Sequence, residues 1–87
     1  MEARMKRFEA RLNRILPLEP RGFNKNLSDE GVRVEAEKMC KPFWCIVQGC
    51  LVPRTRTPEQ EQICYFASAD LQMCVDRISD EIKAIIR

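Results

Sequence analysis

Two stretches decide the fold of this chain: residues 40–50, CKPFWCIVQGC, and residues 64–74, CYFASADLQMC. Each opens and closes on a cysteine with nine residues between. On a helix, ten residues advance about 15 Å and about 2.8 turns, so the two cysteines of a stretch lie toward one side. Set antiparallel, the two helices bring Cys40 opposite Cys74 and Cys50 opposite Cys64. Two disulfides would then staple a helical hairpin at both ends. Other pairings are open to five cysteines, and so is a set of reduced, buried thiols. The duplicated spacing favours the staples, because few other arrangements need it twice.

The fold expected from this reading is all-α: a disulfide-stapled antiparallel helical hairpin with an N-terminal amphipathic helix and an extended arm. Residues 1–27 form the basic helix and arm, and residues 28–87 form the hairpin with a long C-terminal helix. At 87 residues the chain makes one small domain, which calls for staples or a partner. Its 45% hydrophobic and 32% charged residues argue against wholesale disorder. No apolar run approaches the roughly 18 residues of a membrane span, and no secretory apolar region follows Met1. Five cysteines in so short a chain suggest an oxidising compartment.

The net charge of +2 is unevenly placed. Residues 1–25 carry seven basic and three acidic side chains, whereas residues 26–87 carry eight basic and ten acidic. The basic end suits an acidic partner, RNA or an anionic membrane surface, or is simply a solvated face. Residues 2–16 read as an amphipathic helix with Met5, Phe8, Leu12 and Ile15 along one side. Its basic character faintly resembles a mitochondrial presequence, although Glu2, Glu9 and the absence of serine depart from one. Pro17 stops this helix, and Pro20 and Gly22 keep the next stretch extended. The arm, PLEPRGFNKNL at residues 17–27, is ordered only if something binds it.

Ser28 is a helix N-cap, with Asp29 and Glu30 in the first turn. The helix it starts runs toward Leu51, but Pro42 breaks or kinks it near 39–41. Residues 52–57 form a turn, and Thr57-Pro58-Glu59-Gln60 starts the last helix with a capping box. Cys64, Ala67, Leu71, Cys74, Ile78, Ile82 and Ile85 then share one stripe. Past Cys74 the hairpin partner should have ended. Ile78, Ile82 and Ile85, like Met5, Phe8, Leu12 and Ile15, are therefore candidate partner-binding residues, unless the two apolar stripes cover each other.

The four paired cysteines read as structural, each bridge contributing about 3 kcal/mol in a chain-entropy account. Zinc would ask for tight C-x2-C knuckles, which are absent. Cys45 lies five residues from both Cys40 and Cys50, roughly 140° round a helix from each. It reads as a buried small apolar residue against the N-terminal arm, or as a reactive thiol or soft-metal ligand. With no histidine, no phosphate-cradling glycine loop and no redox C-x-x-C, nothing points to an enzyme, a metal or another cofactor.

Over residues 34–78 the spacing resembles the twin C-x9-C proteins, the coiled-coil-helix-coiled-coil-helix family. RVEAEKMC before the first cysteine and LQMCVDRI around the last look like members tied to cytochrome c oxidase biogenesis. LQMCVD is also similar to the small mitochondrial ribosomal members. The resemblance implies import into the mitochondrial intermembrane space and oxidation there by a disulfide relay. An import signal of Phe43, Val47 and Cys50 would fit, although core packing explains the same residues. It further implies a non-catalytic accessory subunit or assembly factor of a respiratory-chain complex, working through a larger protein assembly. The alternatives are a mitochondrial ribosomal component in the matrix, with RNA contact through residues 1–25, and a thiol or copper carrier using Cys45. The copper members carry adjacent cysteines, which this chain lacks.

Overall fold

The computed structural model describes residues 2–18 and 23–87, so Pro20 and Gly22 lie outside the described residues. Four helices and no strand are found among the described residues: α1 (Glu2–Leu12), α2 (Asp29–Met39), α3 (Lys41–Leu51) and α4 (Pro58–Ile86). The starts of α2 and α4 follow from their caps. The Ser28 hydroxyl accepts the Gly31 N–H at 3.1 Å. At Thr57 the box is reciprocal. The Gln60 N–H donates to the Thr57 hydroxyl at 3.2 Å, and the Gln60 side chain accepts the Thr57 N–H at 3.0 Å. These contacts satisfy donors that a helix start leaves without partners.

Pro42 places the break between α2 and α3 at a single residue. Cys40 closes α2 and opens α3, with φ −84° and ψ 22°. Its N–H still reaches the Ala36 carbonyl at 3.0 Å, and its own carbonyl accepts from Phe43 and Trp44 at 3.0 and 3.1 Å. The chain therefore bends while keeping its backbone bonds. Pro42 sits in the first turn of α3, where a missing N–H leaves no bond unmade.

The 29 residues of α4 give a rod of about 43 Å, close to the longest dimension of 45 Å. Both α2 and α3 lie antiparallel on it. Cys50–Cys64 joins the end of α3 to the start of α4, with Cα atoms 5.6 Å apart. Cys40–Cys74 joins the α2–α3 junction to the middle of α4, at 6.2 Å. Beyond that bridge α2 continues along α4. Arg33 lies 4.0 Å from Asp76, and Asp29 meets Lys83 at 4.0 Å and Arg87 at 2.8 Å. Asp29 is held below the ordinary carboxylate range by the Arg87 hydrogen bond first, then by the charges of Lys83 and Arg87.

This register corrects one expectation. Ile78 and Ile82 have no exposed surface, and with Val32, Ala36, Cys40, Phe43 and Cys74 they form the core. The hairpin does not end at Cys40, because α2 carries its antiparallel course past the break. The burial of each isoleucine contributes about 1.5–3 kcal/mol. Neither isoleucine is free to bind a partner. Ile85 is half-buried at the frayed end of the stripe.

The same correction applies to α1. Phe8 and Leu12 are buried in that core, and the Phe8 and Phe43 rings are tilted with centroids 5.3 Å apart. The helix is also shorter than its pattern suggests, ending at Leu12 rather than 16. A tighter turn follows, with Ile15 N–H on the Leu12 carbonyl at 2.9 Å. Helical geometry is disfavoured just before Pro17. Ile15 then reaches the core from the turn, and Met5 remains exposed. Both described ends of the arm are held by the fold itself, since Leu18, Phe23 and Leu27 pack on the core. Gly31 permits this close return: a Cβ there would lie 3.0 Å from the Leu27 side chain.

Candidate functional site

The two ends of the α3–α4 hairpin differ in what covers them. At the α2 end, Cys40–Cys74 is sealed inside the core. At the other end, Cys50–Cys64 closes a tip that keeps apolar side chains in solvent. Leu51 is 76% exposed and Tyr65 81%. They line one shallow groove of about 330 Å³ with Val47 and both bridged cysteines. Trp44, 46% exposed, continues the patch along α3. Trp44, Val47 and Leu51 recur at three- and four-residue steps, so they form a stripe of α3 along the edge of its core side.

The tip is rigidly backed. Arg56, in the connection after α3, donates from its guanidinium to the Cys50 carbonyl and lies 3.6 Å from Glu61. A cation on the last carbonyls of α3 suits both the unsatisfied acceptors and the negative end of the helix. The loop of residues 53–57 is thereby drawn against the staple instead of hanging free.

Cys45 stands on a further side of α3. It is the one free cysteine and it is exposed, which overturns its expected burial against the arm. The arm packs over the α2–α3 junction near Met39 and Pro42 instead. Cys45 lines a second groove of about 240 Å³ with Ile46, Gly49, Arg54 and the Cys50–Cys64 bridge. Among the described residues, no group of three or more cysteines or carboxylates is gathered as metal ligands would be. Phe43, placed in the expected import signal, is buried at the centre of the core, while Val47 lies half-buried in the tip groove.

Beyond Tyr65, α1 packs against α4. Arg4 pairs with Asp70 at 2.8 Å, and its guanidinium lies 4.0 Å from the centre of the Phe66 ring. Sequence reasoning missed this docking contact and also the exposed trio of Trp44, Leu51 and Tyr65. The trio had a readable signal: each is a large apolar residue lying off the stripe defined by its neighbouring cysteines. Tyr65 follows Cys64 by about 100° of helix rotation.

The apolar tip and the charged helix faces are the surfaces the hairpin offers for contact. The two disulfides are compatible with an oxidising compartment. Among the described residues no helix is long and apolar enough to cross a membrane. No family model, curated protein or solved structure matches this chain.

Proposed function

We propose that this chain is a non-catalytic, protein-binding component of the mitochondrial intermembrane space, serving a respiratory-chain complex as accessory subunit or assembly factor. The observation that carries the reading is the pairing of two equal C-x9-C segments, end to end, into a hairpin whose tip leaves Trp44, Leu51 and Tyr65 exposed. The spacing resembles that of the twin C-x9-C proteins, and apolar side chains gathered in solvent mark a contact surface. The staples hold that surface in shape without a large core behind it.

Native size fractionation of mitochondria, following this chain against respiratory-complex and ribosomal markers, tests the reading. Stable co-migration with a respiratory complex makes it a subunit, and transient association during assembly makes it a factor. Co-migration with the ribosome assigns it to the matrix instead. Absence from mitochondria sinks the proposal.

A further inference from the structure

Arg4, Arg7 and Arg11 recur at three- and four-residue steps and form one stripe of α1. All three line a cleft of about 270 Å³ against α4, walled by Ile63 and Phe66. Their situations differ. Arg4 is committed to Asp70 and to the Phe66 face, yet its Nε is buried with no acceptor among the described residues. The Nε of Arg7 reaches only the Ala3 carbonyl of its own helix, at 3.3 Å. Neither Arg7 nor Arg11 has a carboxylate partner among the described residues. Glu9 lies about 200° round the helix from both. Two uncompensated guanidinium groups, one turn apart, thus edge an apolar wall.

We infer that this cleft receives an acidic, amphipathic helical segment of a partner protein. Two of its carboxylates, one turn apart, meet Arg7 and Arg11, and an aliphatic side chain between them lies on Ile63 and Phe66. The inference rests on the reading of the chain as a protein-binding component. Side chains four residues apart on a helix stand about 5–6 Å from one another, so acid and base pairs match in spacing. Guanidinium and carboxylate also match in shape, each presenting two parallel contacts.

Nucleic acid fits less well. It needs a track of cations and free aromatic faces for bases. One face of the Phe66 ring is already taken by Arg4, and the Tyr65 ring meets Phe66 in a T-shaped contact with centroids 4.9 Å apart, so the cleft offers no run of free ring faces on which bases could stack.

The test uses the full oxidised chain, labelled with nitrogen-15, and follows the arginine Nε–Hε signals. The probe is a helical peptide with glutamates four residues apart and leucines between them. The same peptide with glutamines and a short single-stranded RNA are the other arms. Arg7 and Arg11 signals should shift and saturate with the glutamate peptide alone. R7Q/R11Q should weaken its binding at least about tenfold, whereas K6Q/R14Q, which removes the same charge elsewhere, should change it less than about twofold. Equal weakening by both double variants overturns the site, as does tighter binding of the RNA or no shift at millimolar peptide.

In mitochondria the two readings separate. If the wild-type chain and R7Q/R11Q co-migrate equally with a large assembly, the cleft is not the contact and the proposed function stands. If the wild-type chain joins no assembly, the proposed function fails first.

Discussion

The two disulfides have the same spacing on their helices but occupy different surroundings. Cys40–Cys74 lies within the apolar cluster of Val32, Phe43, Ile78 and Ile82, with neither cysteine exposed. Cys50–Cys64 is half-buried beside a solvent-facing groove, and the large side chains around it, Leu51 and Tyr65, are not covered by the chain. One bridge is therefore a member of a core that already exists. The other substitutes for a core at a tip that has almost none. Repetition in sequence does not entail repetition of role, because α2 reaches only one end of the hairpin and α1 leaves the groove of Leu51 and Tyr65 uncovered.

The largest effect that sharpens this contrast comes from removing each bridge. C40S/C74S should lose about 4–5 kcal/mol of stability, since it opens the longer loop and leaves two hydroxyls in apolar surroundings. C50S/C64S should lose about 2–3 kcal/mol. Urea unfolding of the two variants would measure this, and equal losses would erase the distinction. Next in size, Ile78→Ala should cost about 3–4 kcal/mol by opening a cavity, against no more than about 0.5 kcal/mol for Leu51→Ala at the tip.

Under limiting reductant the tip bridge should open first, because reaching the buried one requires unfolding of its surroundings. Thiol trapping followed by peptide mass analysis would show Cys50 and Cys64 labelled ahead of Cys40 and Cys74. Without reductant, only Cys45 should be alkylated in the folded chain, and burial of that thiol would be shown by a failure to label. The smallest effect concerns the covered end. The folded-state pKa of Asp29 is depressed, chiefly by Arg87, so its ion pair stabilises the fold above the ordinary value of 3.8. That contribution disappears as pH falls through the lower folded value. Asp29→Asn should therefore lower Tm slightly at pH 7 and low salt. The difference should shrink as acid protonates Asp29, and a difference independent of pH would show that the charge of Asp29 is not what matters.

Local signals made much of this legible in the sequence. The cysteine pairs, the proline at 42 and the Thr57–Gln60 box act over ten residues or fewer, and each leaves few local geometries to choose from. The turn around Pro17 was visible, but the end of α1 was not, since Ile15 fits the helical stripe and reaches the core without being helical. What covers Ile78 and Ile82 depended on α2 keeping its direction beyond the bend at Cys40, which is a property of two helices and a third together. The Arg4–Asp70 and Phe8–Phe43 contacts were hidden for the same reason. A stripe states which side of a helix is buried, not against what. Cys45 shows the limit most simply: its angle from the staples was readable, but which sides of α3 the arm leaves uncovered was not.

The bend at Cys40 has a mechanical consequence. The residue at which α2 gives way to α3 is also the one fastened to Cys74 on the long α4 rod. In the terms of a linkage, two short arms meet at a pivot that is bolted to the beam they lie on. Neither arm can swing about the joint without dragging α4, so the tip and the covered end are made to move together. Cutting the bolt would leave every helix its own hydrogen bonds and leave the joint held by apolar packing alone.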